Sequence, residues 1–412
     1  MTIREQNGAA PWLRNVRDWP IVAIRYLLEE RITDGPHETP EFIDEGCPFI
    51  SVDGIQNGEL TFQNCRFISE EQHREFREKA APKVGDILFG KAASTGKIAR
   101  IKTDKEFSIW SPLALLRPNR TKLLSAYFEY ALKSPMAQAQ VDILITTNTQ
   151  NNISMDAIPR IRIPVPSLPE QQRISAYLDN ETIRIDALIV AKERLLELLA
   201  QKRRALIARA VTRGLNPDVP VRDSGIPWLG QIPAHWAIMK LKHVAFLKSG
   251  DAITSDSITE SGEYPVYGGN GIRGYTSSFT HNGDYVLIGR QGALCGNINI
   301  ASGRFWASEH AVVVHVQGEN DFNWLGELLQ IMNLNQYSQS AAQPGLAVGF
   351  VANLQVPIPP LPEQRLIVAH IRRETAKLDA LRQAAERTIG LLRERRAALI
   401  AAAVTGKIKS LS

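Results

Sequence analysis

The chain has 412 residues, of which 44% are hydrophobic and 22% are charged, and its formal net charge is +5. This length allows two to four globular domains, and the composition is ordinary for a protein with a buried core. No stretch reaches the roughly 18 consecutive apolar residues of a membrane span, and residues 1–6 lack the apolar core of a signal sequence, so we expect a cytoplasmic protein with no membrane contact. Cys47, Cys65 and Cys295 are far apart, which argues against a disulfide framework or a zinc site.

The first predicted segment, residues 1–166, consists of a lead-in and a globular domain. The lead-in contains Pro11-Trp12-Leu13 and Trp19. The domain mixes strand-like runs, such as 86–89, with a helical pattern near 123–132, which indicates a mixed α and β fold.

A long helix is predicted within residues 167–213. No glycine or further proline interrupts the chain between Pro169 and Val211, and Gly214 with the two prolines after it suits a helix end. Apolar residues close to heptad spacing predict a pairing surface on this helix of about 40 residues. These residues are Leu178, Ile185, Leu188, Leu195, Leu199 and Leu206.

A second globular domain is predicted in residues 214–358, followed by a second long helix in residues 359–412. Within the domain, the run 283–289 parallels the run 85–90 of the first domain. The predicted pairing residues of the second helix are Ile371, Leu378, Leu381, Leu392 and Leu399.

The two halves are copies of one plan. The segment Ile163–Arg173 returns as Val356–Leu366, 193 positions later, and about half of the helix positions that follow also match. Long helices with an apolar seam need a partner. We therefore expect an α+β protein with a pseudo-two-fold internal repeat, in which two mixed α/β domains are held apart by two long antiparallel helices that form a coiled coil. The alternative is that each helix folds back on its own domain.

No catalytic or metal-binding residues are predicted. The chain has no glycine-rich nucleotide fingerprint and no metalloprotease motif, and its histidines have no metal-ligand spacing. A nuclease acting alone would also need a carboxylate cluster, which the sequence does not suggest.

Candidate DNA contacts lie in paired loops. The loops 146–152 and 339–345 are rich in amide and hydroxyl side chains, which can pair with base edges, and the glycine-flanked loops 90–97 and 289–296 carry cations suited to phosphate or guanine. Ordinary solvated loops would have the same composition. The candidates are Lys91, Ser94, Thr95, Lys97, Thr147, Asn148, Gln150, Asn151, Arg273, Arg290, Gln291 and Gln343.

The duplicated Leu-Pro-Glu-Gln helices, the junction Ala210–Pro220 and the segment Ser224–Trp236 resemble the specificity (S) subunit of type I restriction-modification enzymes over the full length. The pair Pro11-Trp12-Leu13 and Trp19 looks like a degraded copy of Pro227-Trp228-Leu229 and Trp236.

This resemblance implies a non-catalytic protein with two target recognition domains, near 18–160 and 236–352. Each would read one half of an asymmetric bipartite sequence in double-stranded DNA. The helices would set the spacing and dock two methyltransferase (M) subunits, and restriction (R) subunits would join them. No cofactor would belong to this chain, and S-adenosylmethionine, ATP and Mg²⁺ would be used by the partners. The alternative is an orphan or scaffold coiled-coil protein without DNA recognition.

Overall fold

The computed structural model describes residues 16–147, 151–292, 294–338 and 345–408. The chain forms two compact units. Unit 1 comprises Met1–Lys192 and Arg387–Ser412, and unit 2 comprises Glu193–Glu386. Each of the two long helices therefore contributes one part to each unit.

Unit 1 is built on a four-stranded and a three-stranded sheet. Its strands are β1 Ile21–Ala23, β2 Thr33–Asp34, β3 Cys47–Ile50, β4 Ile55–Gln56, β5 Glu59–Leu60, β6 Arg66–Ile68, β7 Ile87–Gly90, β8 Ile98–Arg100, β9 Ser108–Ile109, β10 Leu113–Leu116, β11 Thr146–Thr147, β12 Asn151–Asn152 and β13 Arg162–Pro164. Its helices are α1 Glu70–Lys79, α2 Ser125–Lys133, α3 Pro135–Leu144 and the first part of α4 Leu168–Arg213. The four-stranded sheet has the order β2-β10-β7-β8, and the three-stranded sheet has the order β6-β3-β9.

Unit 2 has two four-stranded sheets. Its strands are β14 Val221–Asp223, β15 Gln231–Pro233, β16 Ala237–Lys240, β17 Ala245–Ser249, β18 Tyr264–Gly268, β19 Gly271–Thr276, β20 His281–Asn282, β21 Tyr285–Gly289, β22 Ile298–Ala301, β23 Arg304–Ala307, β24 Ala311–Val316 and β25 Gln355–Ile358. Its helices are α5 Phe322–Ile331, α6 Val348–Ala352 and part of α7 Leu361–Val404. The two sheets have the orders β17-β24-β21-β22 and β19-β18-β23-β20.

The strand pairing confirms the internal repeat. The order β2-β10-β7-β8 in unit 1 matches β17-β24-β21-β22 in unit 2. The antiparallel pair β1–β13 matches β16–β25, and the parallel pair β3–β9 matches β18–β23. The predicted parallel between the runs 85–90 and 283–289 is also confirmed, because these runs contain β7 and β21, which occupy the same place in the two sheets.

The repeated Glu-Gln dipeptide at the start of each long helix anchors that helix to its own globular domain. Gln171 is fully buried, accepts a hydrogen bond of 2.8 Å from the Leu124 amide and donates to the Pro166 carbonyl at 2.9 Å. Gln364 repeats this pattern, accepting from the Asp321 amide at 2.8 Å and donating to the Pro359 carbonyl at 2.9 Å. The motif therefore holds the helix against its domain and is not part of a reacting centre.

The glutamates of the same dipeptides contact the chain that precedes each domain, and the Glu170 carboxylate lies 3.7 Å from the Arg17 guanidinium. Glu363 lies 2.9 Å from His235 Nε2 and accepts a hydrogen bond of 3.1 Å from Trp236 Nε1. Glu170 caps its own helix by accepting from the Ser167 amide and hydroxyl, at 3.0 and 2.7 Å.

The two long helices pair antiparallel in each unit. In unit 1 the Asp186 carboxylate lies 2.9 Å from the Arg396 guanidinium, and in unit 2 the Asp379 carboxylate lies 2.7 Å from the Arg203 guanidinium. Asp186 and Asp379 are repeat counterparts, as are Arg203 and Arg396, so one ion pair is the image of the other. These cross-helix contacts confirm the predicted antiparallel pairing and exclude helices that fold back alone.

Most of the predicted pairing residues lie on the buried side of their helix. Those that are buried are Leu178, Ile185, Leu199, Ile371 and Leu378, and those that are half-buried are Leu195, Leu206, Leu392 and Leu399. The prediction did not include several other buried positions, namely Ile174, Ile207, Val211, Ile367, Ile389, Ile400 and Val404.

The prediction for Leu188 and Leu381 is wrong. These repeat counterparts are 51% and 55% exposed. The buried side of α4 continues from Ile185 to the half-buried Ile189, four residues on, so Leu188 falls outside it. In α7 the buried positions continue from Leu378 to Ala385, and Leu381 between them is exposed, so apolar spacing alone did not identify the buried side.

Candidate nucleic-acid interface

The loops that follow β7 and β21 are closed by equivalent backbone hydrogen bonds, and the second loop is one residue longer than the first. We call residues 90–97 glycine loop 1 and residues 289–297 glycine loop 2. The Gly96 amide donates to the Gly90 carbonyl at 2.8 Å, and the Gly296 amide donates to the Gly289 carbonyl at 2.7 Å. Gly96 and Gly296 have φ values of +84° and +87°, where side chains are unfavourable. The paired glycines in the sequence therefore encode a repeated tight loop.

Each glycine loop binds the chain that follows the polar loop of the same unit. The Ile153 amide donates to the Lys91 carbonyl at 2.8 Å, and the Leu346 amide donates to the Arg290 carbonyl at 2.9 Å. The chain that leaves each polar loop thus lies beside the glycine loop of the same unit, at the ends of β7 and β21.

In unit 1 the predicted residues differ in their accessibility. Lys97 is exposed, and Ser94 and Thr95 are half-buried. The Thr95 hydroxyl donates to the Asn151 carbonyl at 3.0 Å, which joins the glycine loop to the polar loop. Asn151 is exposed and its backbone belongs to a two-residue strand pair with Thr147.

The expectation that Lys91 is a solvent-facing cation is wrong. Lys91 is only 8% exposed, and its ammonium lies 2.9 Å from the Asp34 carboxylate. Lys79 also reaches Asp34, at 2.7 Å. Burial raises the pKa of Asp34, but the hydrogen bonds and charges of Lys79 and Lys91 outweigh it and lower that pKa below its ordinary 3.8. Asp34 is therefore ionised and neutralises Lys91.

In unit 2 the predicted residues Arg273 and Gln291 line one open cavity of about 620 Å³ beside glycine loop 2. Its other lining residues include Asn270, Leu294 and His310. His310 Nδ1 lies 2.9 Å from the Gln291 side-chain oxygen. This cavity combines a cation, an amide and an imidazole with exposed apolar surface, as a site for stacked or hydrogen-bonded bases requires.

Arg290 lies apart from this cavity lining. It is half-buried, and its guanidinium donates to the Ser249 hydroxyl at 3.3 Å. In the described ranges no carboxylate pairs with Arg290, and its position between β17 and β21 corresponds to that of Lys91 in unit 1.

Sequence reasoning did not identify His310 or Asn270 as part of the site. Asn270 could have been predicted to lie in a tight turn, because it belongs to the run Gly268-Gly-Asn-Gly271. In the structure this run joins β18 to β19. No local signal marked His310, which reaches the site only because β24 lies beside β21. Asn148, Gln150 and Gln343, together with the side chain of Thr147, lie outside the described residues.

The described part of the chain contains no group of three or more His, Cys, Asp or Glu side chains that could hold a metal ion. No helix in that part is both long and apolar enough to cross a membrane.

Comparisons with known proteins place this geometry in a family. The family described as the type I restriction modification DNA specificity domain matches residues 35–197 and 233–386. The chain is 45% identical over 133 residues to the type I restriction enzyme EcoprrI specificity subunit of Escherichia coli, covering 31% of this chain and 33% of that relative. It is 26% identical over 254 residues to a putative type I restriction enzyme MjaX specificity subunit of Methanocaldococcus jannaschii, covering 60% of this chain and 57% of that relative. The matches thus span between a third and somewhat over half of these relatives.

Solved structures share the fold. A chain from a study of complex assembly and conformational transition in a type I R-M system superposes with a TM-score of 0.73 at 17% identity, covering 95% of this chain and 99% of that chain. The HsdS subunit from Thermoanaerobacter tengcongensis superposes with a TM-score of 0.52 at 17% identity, covering 95% of this chain and 97% of that chain.

Proposed function

The chain belongs to the family of type I restriction modification DNA specificity domains, and we propose that it is the non-catalytic DNA-reading subunit of a type I restriction-modification complex. The observation that carries this proposal is that, at the end of equivalent strands in both units, a glycine loop is hydrogen-bonded to the chain that leaves a polar loop. Each unit presents this loop pair once, so each would read one half of a bipartite target in double-stranded DNA.

The two glycine loops are closed by equivalent backbone hydrogen bonds but lie among different side chains. Unit 1 offers Lys97, Thr95 and Asn151, whereas unit 2 offers Gln291 on its glycine loop and Arg273 on β19, which lines the same cavity. Because different side chains prefer different base edges, the two half-sites should differ in sequence. An asymmetric target follows.

Methylation mapping with domain exchange tests this proposal. The chain would be expressed with its methyltransferase subunit, and the methylated genome sequences would return both half-sites and the gap between them. Replacing residues 236–352 with the matching segment of a relative should change one half-site and leave the other intact. Changes in both halves would refute two independent readers, and the absence of any sequence-specific methylation would favour the scaffold alternative.

We propose that exposed leucines on the long helices dock two methyltransferase subunits. Leu188 and Leu381 are repeat counterparts and are 51% and 55% exposed, and the counterparts Leu198 and Leu391 are 47% and 65% exposed. A single exposed leucine is ordinary on a protein surface. Here the same two helix positions are exposed in both halves of the internal repeat, which supports two equivalent docking surfaces. Two copies of one partner would use them.

Neighbouring leucines provide a matched test of this docking. Leu198 is 47% exposed, whereas Leu199 is 8% exposed. Leu198→Asp should leave the chain folded but reduce its assembly with the methyltransferase, measured by size-exclusion chromatography of the co-expressed subunits. Leu199→Asp buries an unpaired charge and should destabilise the helix pair itself by several kcal/mol. Unchanged assembly of the Leu198→Asp variant, and of the equivalent Leu391→Asp variant, would refute docking at these leucines.

We further propose that the helices set the spacing between the half-sites. Inserting one heptad into α4 and another into α7 would keep the apolar seam in register and add about 10 Å of helix. At about 3.4 Å per base pair, the methylated gap should lengthen by up to three base pairs. An active complex with an unchanged gap would show that the helices dock partners without setting the spacing.

The chemistry of the complex would belong to its other subunits. The methyltransferase would use S-adenosylmethionine, and restriction subunits, where present, would use ATP and Mg²⁺, all in the cytoplasm. Calorimetric titration of the purified chain with S-adenosylmethionine should give no binding heat, whereas the assembled complex should bind it. Binding by the isolated chain would contradict this division of roles.

A further inference from the structure

Two pairs of residues occupy equivalent places in the two units. Asp34 on β2 lies opposite Ala114 in the sheet of unit 1, and Ser249 on β17 lies opposite Val312 in the sheet of unit 2. Lys91 comes directly after β7, and Arg290 comes directly after β21, which is the equivalent strand of unit 2. The cation therefore faces a carboxylate in unit 1 and a hydroxyl in unit 2.

In unit 1 this arrangement removes the cation from solvent and from any ligand. Lys91 is 8% exposed, and Asp34 receives its ammonium at 2.9 Å as well as that of Lys79 at 2.7 Å. If Lys91 were released, the buried Asp34 carboxylate would keep only one of its two cationic partners, which costs free energy. Lys91 is thus committed to a structural ion pair.

In unit 2 the same place holds an arginine without a carboxylate. The Arg290 guanidinium makes a 3.3 Å hydrogen bond with a neutral hydroxyl, and no carboxylate among the described residues compensates its charge. The sequence of the polar loop 339–345 contains no acidic residue. Arg290 also lies directly before Gln291, which lines the cavity of about 620 Å³.

We infer that Arg290 is a DNA-contacting cation of unit 2, that Lys91 is not its functional equivalent in unit 1, and that the residue at the Asp34/Ser249 position decides this difference. The inference rests on the proposed function. Arg290 would be the contacting residue, and Ser249 would be a positioning residue that keeps the guanidinium in place without neutralising it.

The ligand atom is an acceptor on DNA, either a phosphate oxygen or the O6 and N7 of a guanine. Arg290→Gln distinguishes them. A guanine contact predicts that the variant relaxes one position of a single half-site in the methylation map, whereas a phosphate contact predicts uniform weakening.

Introducing the unit 1 carboxylate into unit 2 tests the inference. Binding of the co-purified complex to a labelled duplex, carrying the target mapped for the wild type, would be measured by anisotropy at several salt concentrations. Ser249→Asp should weaken binding about tenfold and reduce the salt slope by about 1. Ser249→Asn, which has nearly the same volume and no charge, controls for size and should have a much smaller effect.

A double-mutant cycle separates neutralisation of Arg290 from general repulsion of DNA by the new carboxylate. If Ser249→Asp acts through Arg290, it should add little in an Arg290→Gln background. Equal effects of Ser249→Asp in both backgrounds, or equal effects of the Asp and Asn variants, would overturn the inference while leaving DNA recognition intact. A wild-type complex with no affinity for its mapped target would instead overturn the proposed function.

The reverse change gives a second arm in unit 1. Asp34→Asn keeps the volume but removes the carboxylate that neutralises both Lys91 and Lys79. In a Lys79→Gln background, where Asp34→Asn releases only Lys91, the salt slope of a variant that still folds should rise by about 1. Thermal unfolding identifies a variant that does not fold, in which case the Ser249 cycle decides alone. An unchanged slope in a folded Asp34→Asn variant would overturn the assigned role of Asp34.

Discussion

Replacing the buried glutamine at the start of each long helix should loosen the attachment of that helix to its own domain. Gln171→Met keeps the side-chain length but removes the amide. The Leu124 amide and the Pro166 carbonyl then lose hydrogen bonds of 2.8 and 2.9 Å, and the carbonyl of the exposed Lys122 loses one of 2.9 Å that water can replace. Leaving a buried polar group without a partner costs about 1–3 kcal/mol. With two such groups, we expect a local loss of about 2–5 kcal/mol.

Hydrogen exchange measured by mass spectrometry reports this loss directly. Since 1.4 kcal/mol corresponds to tenfold, the peptide containing Leu124 should exchange at least about 30-fold faster in Gln171→Met, provided that local opening governs exchange. Gln364→Met should do the same to the peptide containing Asp321, whose amide donates to Gln364 at 2.8 Å. Each substitution should affect only its own unit.

The adjacent Gln172 is exposed and provides a matched control. Gln172→Met changes the same side chain one position along the same helix and should stay within about 0.5 kcal/mol of the wild type. Equal exchange in Gln171→Met and Gln172→Met would refute the anchoring role of the repeated dipeptide. Faster exchange in both units after a single substitution would refute the idea that each glutamine anchors only its own domain.

Three further predictions concern stability and reactivity. Burial raises the pKa of Glu129, but the charge and hydrogen bond of Lys133, the charge of Lys102 and the hydrogen bond of Arg100 together lower it below its ordinary 4.5. The stabilisation by Glu129 is therefore full above pH 4.5 and is lost as the pH falls through the folded value. Glu129→Gln should thus flatten the acid limb of a plot of Tm against pH. Arg203→Asp and Asp379→Arg should each lower the free energy of unfolding, measured in urea, by about 0.5–1 kcal/mol, a small loss because this ion pair is partly exposed. The double variant, which restores the pair in reverse, should recover most of this free energy. Burial and nearby carboxylates raise the pKa of Cys47 to about 11, so a thiol reagent at pH 8 should label the less buried Cys65 first.

The long helices could be predicted from sequence because they depend on local information. No glycine or proline interrupts residues 170–211, and the helix α4 Leu168–Arg213 follows. The side that each residue faces was harder to predict. Leu188 is as apolar as Ile185, yet Leu188 is exposed and Ile185 is buried, so the apolar character of a helix residue does not reveal which side it faces.

The candidate site could be predicted where the residue types of a loop indicate its structure. The glycines of the loop 90–97 mark a tight turn, and the polar run 146–152 marks an exposed segment. Their contact through the Ile153 amide and the Lys91 carbonyl depends on strand pairing, which spacing along the chain does not reveal. The neutralisation of Lys91 was equally hidden, because Asp34 lies on a strand more than fifty positions earlier.

The different demands on helices and loops explain which parts of the repeat have kept their sequence. A pseudo-two-fold helix pair is self-complementary, so Asp186 meets Arg396 where its counterpart Asp379 meets Arg203. Both copies of the helix must therefore carry both residues, and an unmatched change in one copy breaks a contact. The glycine loops carry no such reciprocal constraint, because Lys91 and Arg290 make their contacts inside separate units. Their partners, Asp34 and Ser249, differ accordingly. Retained helices and diverged loops are thus what a chain with equivalent docking surfaces and two unlike readers requires.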